Sequence, residues 1–189
     1  MCSLASACSE GRRPVIVISG QPGSGKSTYA RRLAADLGLR YYTTGHAFRK
    51  LAEKLGVSLM ELNRMAEKDP SIDLSIDMDS LAEARRGCVV IDSHLAGWLL
   101  RDVADVTIYI KASLPERARR IASRDSKADS EALAEASQRE ISHWERFARY
   151  YGIDVRDLSS YDLVIDTTRI DIEGTYQVIL TFVKNVLSI

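Results

Sequence analysis

Short apolar runs alternate with longer helical patterns along this chain. Pro14-Val15-Ile16-Val17-Ile18-Ser19 is a β-branched run without polar alternation, the pattern of a strand buried on both faces. Val89-Val90-Ile91, Val106-Thr107-Ile108-Tyr109-Ile110 and Leu163-Val164-Ile165 read the same way, and residues 40–42 add a fifth candidate. Residues 27–38 carry Ala30, Leu33, Ala34 and Leu37 at helical spacing, with Gly38 as the stop. A last helix is predicted over residues 172–186. Such alternation predicts an α/β fold of three layers, with a central parallel sheet of five strands.

Two stretches are too long and too helical for simple crossovers. One covers residues 47–86. The other covers residues 114–151 and breaks near Asp125-Ser126-Lys127-Ala128-Asp129. Both read as helical insertions into the sheet domain. In the second, Arg117, Arg120 and Arg124 share one helix stripe, and Arg139, His143 and Arg146 share another. Ile141, Trp144, Ala148 and Tyr151 lie on the opposite side of the later helix. The expectation is that this apolar side faces the core and the basic stripe faces solvent. Met60, Met65 and Met78 are expected to fill core space. Trp98, Trp144, Phe147 and Tyr150 are spaced for helix packing rather than base stacking.

A length of 189 residues fits one domain with inserted lobes. Lys plus Arg and Asp plus Glu each number 26, a formal net charge of zero. That balance argues against bulk electrostatic binding of nucleic acid or a membrane surface. Residues 1–13 lack the apolar core of a secretory signal and read as a frayed tail. Three cysteines, two of them in the first eight residues, suggest no disulfide framework. A cytoplasmic setting is the expectation, with a monomer as the default state. The three histidines and three cysteines show no zinc spacing.

The strongest chemical signal is Gly20-Gln21-Pro22-Gly23-Ser24-Gly25-Lys26-Ser27, a GxxxxGKS loop between a strand and a helix. Its glycines let successive N–H groups wrap a phosphate at a helix N-terminus. Lys26 is placed to reach the β- and γ-phosphates of a nucleotide, and Thr28 follows in the first helical turn; the loop alone suits GTPases, motors, ATPases and small-molecule kinases. The Ser27 hydroxyl is the expected Mg²⁺ ligand. Asp92, at the tip of the Cys88–Ile91 apolar run, is the second magnesium contact, direct or through water. No Asn-Lys-x-Asp guanine reader is present, and the two helical insertions favour a kinase of small molecules.

Beyond the loop, the chain resembles nucleoside monophosphate kinases. Thr43-Thr44-Gly45-His46-Ala47-Phe48-Arg49 is similar to their Ser/Thr-Gly-x-x-x-Arg turn, and Arg49 offers a planar fork for phosphate oxygens. Val90-Ile91-Asp92-Ser93-His94-Leu95-Ala96-Gly97-Trp98, Arg139-Glu140, Arg146, Tyr151-Gly152-Ile153-Asp154 and Tyr161-Asp162-Leu163-Val164-Ile165-Asp166-Thr167 narrow the likeness. Together they resemble the archaeal type of cytidylate kinase. The match runs from about Val15 to the last helix.

The resemblance implies a kinase domain over residues 14–189, with an NMP-binding lobe at about 44–87 and a lid at about 114–151. It implies ATP, Mg²⁺ and CMP or dCMP as ligands, and Lys26, Arg49, Arg117, Arg120, Arg124, Arg139 and Arg146 as phosphate contacts. Thr44, Gly45, Asp69, Asp73, His94 and Gly97 complete the expected acceptor site. Asp69 and Asp73 could accept from a base amino group, and Asp69 equally suits a helix start before Pro70. Many relatives carry Glu-Gly-Arg where this chain has Asp92-Ser93-His94. The same three residues are similar to adenylate-kinase-like ribosome assembly factors, whose ATPase activity is the alternative expectation.

Overall fold

The computed structural model describes Cys8, Gly11 and residues 13–189. Among these, five strands form one sheet: β1 (Val15–Gly20), β2 (Arg40–Thr43), β3 (Val89–Asp92), β4 (Val106–Lys111) and β5 (Leu163–Asp166). Their spatial order is β2-β3-β1-β4-β5, and every pair is parallel. Successive strands are added on one side of β1 and then, from β4, on the other, so a crevice is expected at the C-terminal ends of β1, β3 and β4.

All six residues of β1 are buried, as its unbroken apolar run predicts. Ile16 and Ile18 join Val90 and Ile108 under α1 (Lys26–Asp36) and α8 (Ile172–Leu187). Val15 and Val17 point the other way, to Val89 and Ile91 beneath α4 (Pro70–Arg86) and α5 (Ala96–Leu99). This gives the three expected layers. One strand departs from expectation: in β5 only Ile165 is buried, and Val164 is 37% exposed. The strand ends the sheet among the described residues, so it has one neighbour instead of two.

The first insertion folds as α2 (Thr44–Leu55), α3 (Leu59–Ala66) and the start of α4 around Ala52, Leu62, Ala66 and Ile72. Ser58 caps α3 by accepting from Glu61 N at 3.1 Å. The lobe is thin, and this corrects the methionine expectation. Met65 packs against the small cluster, but Met60 and Met78 are 66% and 61% exposed. The second insertion is an antiparallel pair, α6 (Leu114–Asp125) and α7 (Asp129–Tyr151), closed by Ile121, Ala122, Ala132 and Ala136.

The facing of α7 is the reverse of the sequence expectation. Ile141 and Trp144 are exposed, with Arg156 stacked over the Trp144 ring, while Arg146 and Phe147 are buried. Arg117 on α6 is also buried. The interior that these helices cover is largely polar, so Arg117 of one stripe and Arg146 of the other turn inward, while Arg124 and Arg139 stay exposed.

The cysteine expectation is corrected as well. Cys8 and Cys88 form a disulfide with Cα atoms 6.1 Å apart, across 80 positions. Sequence spacing hides this pair because the chain ahead of β1 runs beside the Gly87 turn that opens β3. The other residues of the expected tail, 1–7, 9, 10 and 12, lie outside the described residues. No helix among the described residues is long and apolar enough to cross a membrane.

Candidate active site

The phosphate loop fills the turn from the central strand β1 into α1. Gly23 has φ 79°, and a Cβ there would stand 2.8 Å from the Arg117 carbonyl, so the loop needs glycine for both conformation and space. Ser24 N bonds Gln21 O at 3.1 Å, and Thr28 N bonds Gly25 O at 2.9 Å as α1 begins. Ser24 Oγ and Gln21 Oε1 are buried with no hydrogen-bond partner among the described residues. Such orphaned polar atoms are expected where a ligand supplies the missing partner. Desolvation pulls the Lys26 ammonium down to about 8, with Asp92 opposing and Arg139 and Arg124 reinforcing the shift.

Asp92 ends β3 at 2% exposure. Its Oδ2 accepts from the Tyr41 hydroxyl of β2 at 2.8 Å. The next residue, Ser93, donates its N–H to Ile18 O at 3.2 Å and anchors the carboxylate beside β1. A Ser27 hydroxyl and a buried carboxylate are hard oxygen donors, and that chemistry fits Mg²⁺. Among the described residues no cluster of three His, Cys, Asp or Glu forms a separate metal site.

His94 Nδ1 donates to Gly20 O at 2.8 Å, since a carbonyl can only accept. Its ring lies 4.3 Å from that of His143 on α7, which in turn stacks 5.5 Å from Phe147. Desolvation first, and then the Lys26 charge, hold His94 well below the ordinary histidine range. Gly97 N donates to Ser19 Oγ at 3.1 Å, and Tyr161 covers its Cα. It therefore packs α5 onto the sheet and presents no side chain to the crevice.

The basic residues divide into two groups. Arg117 donates to Ala112 O, Pro22 O and Glu140 Oε2 at 3.1, 3.2 and 2.6 Å. Arg120 donates to Ser24 O, Thr167 Oγ1 and Thr167 O at 2.9, 2.9 and 2.8 Å. Both guanidinium groups thus hold the loop by its carbonyls. Arg49, Arg124 and Arg139 are freer. Arg49 is exposed one turn into α2, near Thr44 and Gly45 at the helix start. Arg124 pairs with Asp125 at 2.6 Å while 61% exposed, and Arg139 reaches Glu135 at 3.4 Å while 41% exposed.

A second cluster lies between α4 and α7. Arg146 Nε is 3.2 Å from Asp73 Oδ2, and both side chains are buried. The approach lacks hydrogen-bond geometry, so Arg146 Nε and Nη1 and Asp73 Oδ2 remain without a hydrogen-bond partner among the described residues. Burial raises the Asp77 carboxyl to about 6, although the Tyr151 hydroxyl donates to its Oδ2 at 2.5 Å. Asp69 stands apart from this cluster. It caps α4 by accepting from Ser71 N at 2.9 Å, the helix-start role its position before Pro70 allows.

The sequence assigned no role to Tyr41, Asp77 or Glu140, although Glu140 stands in the Arg139-Glu140 pair. Asp77 lies one helical turn from Asp73 and Glu140 lies within the basic stripe, so helical spacing carried a signal for both. Tyr41 had none, because its contact crosses strands.

The sheet order, the GxxxxGKS turn and the carboxylate on the neighbouring strand define a P-loop α/β protein of the kinase type. A family profile described as an AAA domain matches residues 16–143. The chain is 56% identical to a cytidylate kinase of Aeropyrum pernix, covering 87% of this chain and 95% of that one. A cytidylate kinase of Ignicoccus hospitalis is 54% identical, over 87% of this chain and 96% of that one. Among solved structures, shikimate kinase of Bacteroides thetaiotaomicron superposes with a TM-score of 0.62 at 14% identity, covering 94% and 100% of the two chains. That likeness concerns the fold alone. The chain belongs to the cytidylate kinase family and is a phosphotransferase.

Proposed function

We propose that the protein transfers the γ-phosphoryl group of ATP to CMP, and also to dCMP, giving CDP or dCDP and ADP. The donor phosphates occupy the loop at residues 20–27, under Lys26. Mg²⁺, held by Ser27 and Asp92, supplies charge neutralisation on the donor phosphates. The insertion at 44–87 serves as the acceptor lobe and the α6–α7 pair as the lid. Arg49 grips the acceptor phosphate, while Arg124 and Arg139, exposed and close to Lys26, add charge as the lid closes. An oxygen of the acceptor phosphate, which is mostly a dianion at neutral pH because its second pKa is about 6, attacks the γ-phosphorus in line. The bond to the β–γ bridging oxygen breaks and ADP leaves, so no general base is required.

The observation that carries the base assignment is the unsatisfied pair Arg146 and Asp73. Cytosine offers acceptors at O2 and N3 beside a donor at N4. A guanidinium next to a carboxylate presents the complementary donors and acceptor. Uracil reverses the middle and last positions, and it would set a donor or acceptor against its like. The inclusion of dCMP rests on the resemblance to the cytidylate kinases. The reading takes the enzyme as a cytoplasmic monomer.

A coupled assay with ATP and Mg²⁺ tests this against CMP, dCMP, UMP, AMP and GMP, with a no-acceptor control. CMP and dCMP are expected to exceed the others by at least tenfold, the effect of about 1.4 kcal/mol. Preference for AMP, or ATP hydrolysis equally fast without acceptor, overturns the reading and favours an adenylate-kinase-like ATPase.

A further inference from the structure

Three consecutive residues at the start of the phosphate loop are tied to α7. The Gly20 carbonyl accepts from His94, whose ring rests against His143 of α7. Gln21 Nε2 donates to Glu140 Oε1 at 2.7 Å. Pro22 O accepts from Arg117 Nη1, and the same guanidinium gives its Nη2 to Glu140 Oε2 at 2.6 Å. Glu140 and His143 are three residues apart on α7 and so share its inward face. The Glu140 carboxylate is the centre of this arrangement. One oxygen holds the loop side chain, and the other holds the arginine that holds the loop backbone.

The rest of α7 is fastened to the other insertion. Ser142 Oγ donates to Glu67 Oε1 at 3.0 Å, Arg149 Nη1 to Glu67 O at 3.3 Å, and Tyr150 Oη to Ala66 O at 2.8 Å. Arg146 faces Asp73 and Tyr151 bonds Asp77, as described above. One 23-residue helix therefore touches the donor loop with its middle and the acceptor lobe along its last three turns. A helix is stiff over such a length, so a shift at one end moves the other.

We propose that Glu140 is a positioning residue that links the shape of the ATP loop to the seating of α7 on the acceptor lobe. An acceptor that draws the lobe and α7 together also sets Gln21 and Pro22 for the donor phosphates. By linkage, donor and acceptor then raise each other's affinity by the same factor. The physical gain is selectivity between acceptor and water, because the loop reaches its productive shape only when an acceptor is present. The inference rests on the acceptor-lobe assignment above, but not on which base the acceptor carries.

The test is calorimetric titration of a non-hydrolysable ATP analogue with Mg²⁺, with and without saturating CMP, on wild type and on Glu140→Ala and Glu140→Gln. UMP, AMP and GMP are titrated in parallel. Wild type is expected to bind the analogue at least about fivefold more tightly with the acceptor present. Both variants are expected to fall below about twofold, with CMP affinity alone changed less than about threefold. Gln21→Leu should produce the same loss, and the double variant Gln21→Leu/Glu140→Ala should lose no more than either single one. A purely structural contribution of Glu140 would instead weaken both ligands alike and leave their ratio intact, which overturns the proposal. So does a wild-type ratio of one. Should the alanine variant lose its circular dichroism spectrum, the isosteric glutamine variant carries the comparison. If another monophosphate binds and CMP does not, the base assignment falls and the coupling is read with that acceptor. If no monophosphate binds, both readings fall.

Discussion

The hydroxyl of Tyr41 on β2 donates to Asp92 Oδ2 on β3 at 2.8 Å, across two parallel strands. This bond orients the carboxylate that the proposed function assigns to magnesium. Groups that orient a metal ligand from behind are worth roughly 10- to 100-fold in metal affinity or activity. Tyr41→Phe keeps the ring and removes only the bond. The expected outcome is a rise of about tenfold in the Mg²⁺ concentration needed for half-maximal rate, with fold stability within about 1 kcal/mol of wild type. A magnesium titration beside a denaturant curve reads both quantities. An unchanged magnesium requirement would show that Asp92 is oriented by other means.

Lys26 is the cation whose replacement should hurt catalysis most. Its ammonium is desolvated and faces Asp92, with Arg139 and Arg124 as its cationic neighbours. Removing one preorganised charge from such a site costs about 10²- to 10³-fold in turnover. Lys26→Ala should lose that much in kcat, measured in the coupled assay. Arg49→Ala, at an exposed side chain outside the loop, should act mainly through the KM for the monophosphate.

Some of this architecture was legible in the sequence, for reasons that differ by residue. The loop at residues 20–27 is contiguous and its chemistry is local, so spacing alone identified it. The buried runs of β1, β3 and β4 stand out because parallel strands covered on both sides have no polar alternation. For α7, periodicity established which residues share a face but not which face is inside. The ordinary assumption that apolar residues turn inward failed, because the space beneath α7 is a polar crevice and Ile141 and Trp144 were left in solvent. The pairs Cys8–Cys88, Tyr41–Asp92 and Arg146–Asp73 join residues 51 to 80 positions apart, and only tertiary structure brings them together.

The stability of the α4–α7 contact should depend on pH through Asp77. Burial raises its carboxyl from 3.8 to about 6 in the folded protein. The folded state then holds this proton more tightly than the unfolded chain does. The contribution is fully present below about pH 4 and is lost as pH rises through 6, up to about 3 kcal/mol and less for a partly exposed group. Asp77→Asn should therefore flatten the fall in stability between pH 4.5 and 7.5. Urea midpoints at the two pH values measure this, and equal slopes for wild type and variant would refute it.

Gly97 is a packing position. A Cβ there would stand 2.0 Å from Tyr161 Cε1, and that ring is itself buried and leans on Tyr109 at 5.0 Å. The ring has little room to withdraw. Gly97→Ala should cost about 1–3 kcal/mol of stability by overpacking. In a thermal melt the variant should unfold several degrees early, and its KM for either nucleotide should stay close to wild type. A selective loss of acceptor affinity would instead place Gly97 in the binding site.

The Cys8–Cys88 disulfide closes a loop across 80 positions. Cross-linking restricts the unfolded chain, and for a loop of this length the chain-entropy estimate is about 4–5 kcal/mol. Cys88 immediately precedes the strand that ends in Asp92, and Cys8 packs on the core cluster beneath α1 and α8. Stability should therefore fall on reduction while the crevice keeps its shape. Cys8→Ser, or wild type in excess reductant, is expected to unfold at markedly lower denaturant and to retain its kcat below the transition. Cys8→Ser in reductant should lose nothing further, which separates the effect of this bond from a general effect of reductant. If reduction leaves the midpoint unchanged, the bond contributes nothing to the stability of the fold.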